Sequence, residues 1–537
     1  MSNLKFAVLS DTHYISEEMI HSDKRGEMLL KNKINKSVFE SLAATDEFDT
    51  VLITGDLTHS GDEESHKEYI EMLRKVKNSG KNVYVLTATH DFQFSRSYAV
   101  KEGWNVKYKT HPWHNAWFDK DSFAYKDIVT DDFSHLPEEA CKPPFKKVCT
   151  PKDLWEMYRE FGRDQAFSVC ETDYSYCVKL DEKIWCLMLN NNFRDIDPRE
   201  NMSASYSPDC FKWIESIVNS AKEEGAFVFA CTHHSLVPPV PAYKIGATDR
   251  NMRRAYVAHA LADIGISLIF SGHTHFSDIG FAVSDKGKTL CNITTPAISY
   301  LPPMYRVAEL EAEKKTINLT AIPVKNSDEF GIKEATLKEH FKNEFINEYC
   351  EKVSLLPAPL NKLIPALKVK HIYPLCRCAK LSKSEYDSIK DTKLFDIIME
   401  LVINMQCGDG NYTPDTPVYR FMMGFAAAAD SIIASFPFID IRKKLLGYTV
   451  SQVIEPMLFN NFIPDNNADF KFDILPEKRM PTPAFCSMAG DILMSVLSVF
   501  AIVLSPLSPI AASAVIPVLT IRKKIKNRVS PHLPERY

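Results

Sequence analysis

The chain has 537 residues, 45% hydrophobic and 25% charged, with a formal net charge of −5. That length exceeds one ordinary domain, and the composition is that of a globular protein with apolar material for more than one core. The slight acidity argues against general nucleic-acid affinity.

The first elements follow a rule: an apolar run, then a short Asp/His motif. Lys5-Phe6-Ala7-Val8-Leu9 reads as a buried strand and leads into Asp11-Thr12-His13. Val51-Leu52-Ile53 leads into Gly55-Asp56-Leu57-Thr58. A helix is predicted over about 62–79, where Tyr69, Ile70, Leu73 and Val76 share a face and Gly80 is a plausible stop. Val83-Tyr84-Val85-Leu86 precedes Ala88-Thr89-His90-Asp91. The aromatic, polar stretch from 92 to about 165 carries Trp104, Trp113, Trp117 and Lys142-Pro143-Pro144. It reads as an insertion beside the third motif, placed to serve as a substrate lid.

A second helix is expected over about 206–224, with Phe211, Ile214, Ile217 and Val218 on one face and Gly225 following. Phe227-Val228-Phe229-Ala230 precedes His233-His234. A third helix, Met252 to Ile264, feeds the strand Ser267-Leu268-Ile269-Phe270 and then Gly272-His273-Thr274-His275. A strand over Thr316 to Ile322 closes an α/β unit of residues 1–325. Residues 326–485 read as a mainly α-helical C-terminal domain, with Gly408-Asp409-Gly410 as a turn because no Lys-Ser/Thr follows it.

The last segment, 486–537, contains thirty residues without a charge, Ile492 to Ile521, followed by Arg522, Lys523, Lys524, Lys526 and Arg528. A bilayer is spanned by about 20 apolar residues, but Pro506, Pro509 and Pro517 cut the run. Two readings stand: a pair of buried helices, or membrane contact through 492–528 as a hairpin or interfacial anchor held by the basic tail. The thirteen cysteines are scattered and odd in number; Cys186 and Cys231 sit in apolar runs and read as small buried hydrophobes. Cys376 and Cys378 lack the spacing of a zinc site. With the opening strand free of a leader, a reduced, cytoplasmic setting is expected.

In open α/β sheets, ligands bind outside the carboxyl ends of the strands, so motifs distant in sequence should converge at one edge. Asp and His are the ligand types of dinuclear hydrolytic centres, with cations roughly 3.5–4 Å apart. Asp56, after a permissive Gly55, is the natural bridge. Asp11 and His13 alternate by two, point to one side and suit the first metal. His273 and His275 share that spacing and can each reach a different ion, and His233 completes the set. His234, His59 and His66 carry the ordinary expectation of packing or surface histidines.

These motifs, Asp11-Thr12-His13, Gly55-Asp56-Leu57-Thr58, His90-Asp91, His233 and Gly272-His273-Thr274-His275, resemble those of the calcineurin-like metallophosphoesterases. The likeness covers about the first 325 residues. Thr295-Pro296-Ala297-Ile298 and Pro302-Pro303-Met304-Tyr305-Arg306-Val307 are similar to the end of the branch with cyclic-nucleotide-phosphodiesterase-like members. The resemblance implies a four-layer α/β/β/α sandwich. It implies Asp11, His13, Asp56 and His275 on the first metal, Asp56, His233 and His273 on the second, and His90 at the substrate and leaving group. The family's third motif is Gly-Asn-His-Asp, so Thr89 stands where an amide would ligate the second metal. Its hydroxyl or a water fills that place, and a weaker second site is expected.

The resulting expectation is a metal-dependent phosphoesterase with two divalent ions, from among Mn, Fe, Zn, Co and Ni. It would act on a phosphomonoester or phosphodiester, nucleotide or other, by attack of a metal-bound hydroxide, with His90 as proton donor oriented by Asp91. The alternatives are a non-catalytic binding or scaffolding module, for which Thr89 speaks, and a membrane-associated protein with a regulatory phosphoesterase head.

Overall fold

The computed structural model describes residues 3–17, 27–59, 61–92, 149, 151–191, 206–237, 248–355, 358–375, 379–408, 412–435, 449–458 and 466–474. The strands, in chain order, are β1 (Asn3–Leu9), β2 (Thr50–Ile53), β3 (Asn82–Val85), β4 (Ser168–Cys170), β5 (Ser175–Asp181), β6 (Ile184–Leu189) and β7 (Phe227–His234). They continue with β8 (Leu268–Gly272), β9 (Asp278–Val283), β10 (Thr289–Thr294), β11 (Met304–Glu311), β12 (Thr316–Pro323) and β13 (Ala468–Lys471). One six-stranded sheet runs β13-β12-β11-β1-β2-β3, and a seven-stranded sheet runs β4-β5-β6-β7-β8-β10-β9.

Strand alternation builds the layers. Phe6 and Val8 of β1 face the second sheet, where they join Cys186, Met188, Phe229 and Phe270 in one buried cluster. Phe6 stacks on Phe229 with centroids 5.4 Å apart and meets Phe270 edge-on at 5.5 Å. Ala7 and Leu9 point the other way, to Ile34, Val38, Tyr69, Leu73 and Val76 of the helices Glu27–Ala44 and Glu63–Asn78. In the second sheet Trp185 and Leu187 face outward to Ile214 and Val218 of helix Pro208–Glu224, and to Ala258 and Leu261 of helix Thr248–Ile264. This is the expected four-layer sandwich, helices outside and two sheets face to face.

Parallel pairing brings the strand ends level. Leu9 pairs with Ile53, and Ile53 with Val85, so the loops after β1, β2 and β3 leave at one height. On the other sheet His234 pairs with Gly272, which levels the ends of β7 and β8.

The first two predicted helices lie within two residues of their expected limits. Glu63–Asn78 starts where the Asp62 carboxylate accepts the Ser65 N–H at 2.8 Å. Pro208–Glu224 is capped by Ser207. The third begins earlier than expected, at Thr248. The helix Glu27–Ala44 was not anticipated, because Lys31, Asn32 and Asn35 interrupt its apolar stripe. Of the insertion, residues 151–165 form a short helix, Pro151–Met157, and two tight turns whose Leu154 and Phe161 enter the first-sheet core; 93–148 lie outside the described residues.

The described residues between 337 and 430 are mainly helical, as expected, and have a core of their own around Phe395, Leu401 and Phe421. Packing crosses residue 325 in two places. Leu337, Phe341, Ile403 and Cys407 also belong to the core of the first sheet. β13 pairs antiparallel with β12 and forms that sheet's edge, because Ala468 and Phe470 alternate into the inter-sheet layer. The uncharged run 492–521 lies outside the described residues, among which no helix is long and apolar enough to cross a membrane.

His66 ties helix Glu63–Asn78 to the third motif. It is buried, its Nε2 donates to the Asp91 carbonyl at 2.7 Å, and its Nδ1 accepts from the Tyr158 hydroxyl at 2.7 Å. Burial lowers its pKa from 6.5 to about 4, against the pull of the Asp91 carbonyl. The folded state therefore binds fewer protons than the unfolded one. Its stabilising contribution is fully present above pH 6.5 and is lost as pH falls towards 4. That linkage is worth about 3 kcal/mol over the interval. In chelator, His66→Gln should lose less stability than the unaltered chain between pH 7 and 4 in urea titrations; identical acid sensitivity would rule out this role.

Candidate metal centre

The loop after β1 stays paired to the loop after β2 beyond the end of the sheet. Asp11 N–H donates to Gly55 O at 3.0 Å, His13 N–H to Asp56 O at 3.0 Å and Tyr14 N–H to Leu57 O at 2.9 Å. The two motifs are thus registered against each other by backbone alone. Asp11 Oδ2 accepts from the Ser10 hydroxyl at 2.5 Å and the His273 N–H at 2.8 Å, which pins the carboxylate and turns Oδ1 outward. Oδ1 lies 3.3 Å from His275 Nε2 and 3.8 Å from His13 Nε2. Those two ring nitrogens are 3.2 Å apart.

A second group forms around Asp56. Its Oδ2 is 3.1 Å from His233 Nε2, and the donor atoms of Asp56, His233 and His273 lie within 4.8 Å of one another. Asp56 Oδ1 accepts the His90 N–H at 2.9 Å and the Thr89 hydroxyl at 3.4 Å. Thr89 is therefore brought to the site as a partner of the carboxylate. His233 Nδ1 donates to Thr54 O at 3.0 Å, so Nε2 is the nitrogen turned towards Asp56. His234 packs behind, its ring 4.2 Å from that of His273.

The backbone at this edge is unusual. Asp11, His13, Asp56, His273 and His275 all have positive φ, between 46° and 69°. Non-glycine residues rarely adopt that region, and such strain clusters at functional sites. Two glycines allow the close approach. A Cβ on Gly55, at φ 109°, would lie 2.6 Å from Ala88 Cβ and 2.8 Å from His233 Nδ1. One on Gly272 would lie 1.7 Å from Ser10 Oγ.

His90 and Asp91 part company. His90 Nδ1 donates to His59 O at 2.9 Å, and its ring stands 4.6 Å from that of His13. The Asp91 carboxylate accepts from Thr58 N at 2.8 Å and Ala88 N at 2.7 Å instead. The expectation that Asp91 orients the His90 ring is corrected: the tight turn Thr89–Phe92 directs that carboxylate back onto backbone, and the His59 carbonyl holds the imidazole. Burial, then the negative Asp56, raise the Asp91 carboxyl to about 7 against its backbone hydrogen bonds.

The residues fit divalent cations. Asp11 Oδ1 and His233 Nε2 are buried and lack a hydrogen-bond partner among the described residues. Burial alone would lower the His233 imidazole, but the Asp56 carboxylate outweighs it and lifts the pKa to about 9, which marks a place that favours positive charge. Burial and the charge of His90 keep His13 neutral, the form in which imidazole ligates. Carboxylate oxygen with imidazole suits Mn, Fe, Zn, Co or Ni.

Three groups of neighbours were not found by sequence reasoning. The Gln406 side chain, at the end of helix Leu394–Cys407, donates to the His275 carbonyl at 2.7 Å, and the Gln406 main-chain carbonyl accepts the Ser277 N–H at 3.1 Å. Asn466 bridges the Ser277 hydroxyl and the Cys407 carbonyl, at 2.7 and 2.9 Å. No local motif announces contacts of such long sequence separation. Lys31 and Tyr300 stand at the same edge; their signal is a lysine in a buried helical stripe. Separately, Cys170, Asp173 and Cys210 bring three donor atoms within 4.8 Å. The Asp173 carboxylate there already accepts from the Ser207 hydroxyl and N–H, which secures the start of helix Pro208–Glu224.

No curated protein matches the chain. Solved structures to which it is similar include a dimetal phosphatase from Danio rerio, at 10% identity and TM-score 0.34, covering 60% of this chain and 96% of that one. A purple acid phosphatase from yellow lupin seeds aligns at 10% identity and TM-score 0.34, covering 60% and 52%. A putative 5′-nucleotidase from Staphylococcus aureus aligns at 12% identity and TM-score 0.30, covering 74% and 72%. Residues 4–277 match the model of the calcineurin-like phosphoesterases. That stretch opens in β1 and ends just past His275, so it takes in both donor groups, and the chain belongs to the calcineurin-like phosphoesterase family.

Proposed function

We propose that this phosphoesterase hydrolyses its ester with two divalent cations. Asp11, His13 and His275 would hold one, His233 and His273 the other with Thr89 at its edge, and Asp56 would bridge the two. The observation that carries this reading is the pair of largely buried donor groups, Asp11/His13/His275 and Asp56/His233/His273, at one sheet edge. Asp56 suits the bridge because its charge acts on His13 as well as on His233.

When bound, two such cations supply Lewis-acid polarisation of phosphoryl oxygens and lower the pKa of water. The chain supplies the rest. His90, anchored through Nδ1 to the His59 carbonyl, presents Nε2 beside His13 and can donate a proton to the departing alkoxide. Asp91 is a positioning residue: through the amides of Thr58 and Ala88 it fixes the turn on which His90 rides. The Ser10 hydroxyl and the His273 amide orient Asp11. Residues 1–325 are read as the catalytic unit, and the helical region as a brace against the loop after β8.

Purified protein should hydrolyse p-nitrophenyl phosphate or bis(p-nitrophenyl) phosphate, lose that activity in chelator, and regain it with Mn or a similar cation. Folded, metal-loaded protein inert towards every mono- and diester would sink the reading.

Metal content separates the ligands. Asp56→Asn should lower total bound metal more than Thr89→Ala, because the bridge serves both cations and Thr89 only one. Equal loss in the two variants would refute the bridging role.

His90→Ala should keep its metal while turnover slows by roughly 10²–10⁴, the range for a lost general acid. The loss should be largest for esters with poor leaving groups. A uniform loss across leaving groups would assign His90 to binding instead.

A further inference from the structure

Lys31 is the least expected residue at this edge. It lies on the inner face of helix Glu27–Ala44 and is only 6% exposed. Its ammonium sits 4.0 Å from the centroid of the Tyr300 ring. Tyr300 packs in turn on His275, with centroids 4.7 Å apart, and reaches His13 at 6.4 Å. One aromatic ring therefore separates the ammonium of this mostly buried side chain from the first donor group.

An ammonium drawn partly out of water is costly unless paired. Among the described residues no carboxylate pairs with Lys31, and its partner is the face of Tyr300. Cation–π attraction holds the flexible stem but does not neutralise the charge. The surroundings add to the imbalance. Two carboxylates, Asp11 and Asp56, face two divalent cations in the proposed centre, so that site is itself net positive before Lys31 is counted. A hydroxide on the cations would offset one unit, and the rest of the negative charge must arrive with the ligand.

Phosphoesters differ in how much charge they bring. A diester carries one negative charge. A monoester carries close to two at neutral pH, since its second pKa is about 6. Resting on the phosphoesterase reading, we infer that Lys31, steadied by Tyr300, is a binding residue that selects phosphomonoester dianions over phosphodiesters. Its ammonium pairs with the second charge of the phosphoryl group, and Tyr300 is the positioning residue that keeps it aimed at the donor groups.

The test compares Lys31→Met and Lys31→Arg with the unaltered, metal-loaded full chain. Inorganic phosphate binding is measured by calorimetry, and kinetics with p-nitrophenyl phosphate and bis(p-nitrophenyl) phosphate. Lys31→Met should keep its metal, weaken phosphate binding and raise the monoester KM by about tenfold or more, as for a lost charged hydrogen bond. The diester KM should hardly move, and Lys31→Arg should restore most of the monoester preference. Tyr300→Leu should weaken phosphate binding in the same direction but by less. Unchanged phosphate affinity in Lys31→Met, or an equal shift for both esters, overturns the inference. The two readings fail separately. Turnover with Lys31-independent phosphate binding removes the Lys31 role alone. Lys31-dependent phosphate binding without turnover keeps the anion site and removes the phosphoesterase reading.

Discussion

The structure depends on a backbone constraint at one edge of the sandwich. Asp11, His13, Asp56, His273 and His275 are all held in left-handed conformations. Such residues cost of order 1–3 kcal/mol each and persist only where their surroundings over-determine them. Here the surroundings are the continued pairing of the β1 and β2 loops, the Asp11 carboxylate on the His273 amide, and two rigid sheets packed through Phe6, Phe229 and Phe270. The strain gives the site its shape: each left-handed residue turns the chain sharply where a regular strand would carry the donor past the cleft.

Backbone carbonyls complete that arrangement. Thr54 O fixes the His233 ring from below, and His59 O fixes the His90 ring from the side. Both belong to the segment that follows β2, so one loop orients imidazoles that arrive from the ends of β7 and β3. With Nδ1 committed to a carbonyl, each ring turns its Nε2 towards the centre, and that orientation is set by the fold.

Much of this edge was legible in the sequence because apolar runs and chemical motifs alternate. Each run marks a buried strand, and the parallel register brings the strand ends level. The helices Glu63–Asn78 and Pro208–Glu224 were equally readable from their periodicity and their caps. What periodicity does not encode is direction within a turn. Asp91 follows His90 immediately, yet its carboxylate points back to Thr58 and Ala88. Nor does it encode contacts of long range. Helix Glu27–Ala44 hides behind its buried polar residues Lys31, Asn32 and Asn35. β13 is four residues with one inward alternation, too short to stand out from a helical background. The boundary near 325 follows the change in composition, but the packing crosses it, as Ile403 and Cys407 in the first-sheet core show.

The clamp on the loop after β8 has a consequence for how the molecule comes to be made. Gln406 meets the His275 carbonyl across 131 residues of sequence, and Asn466 meets Ser277 across 189. Domains generally fold as they leave the ribosome, amino-terminal part first, and non-local pairings form late. The two sheets can collapse around Phe6 and Phe229 once β12 has emerged, but the outermost strand and both clamping side chains are then still unsynthesised. The loop bearing His273 and His275 must wait for nearly 150 further residues, through Lys471, before its final hydrogen bonds exist. The final packing of that loop is thus tied to synthesis through Lys471, so a chain that stopped short of it would carry the family's motifs without the finished loop.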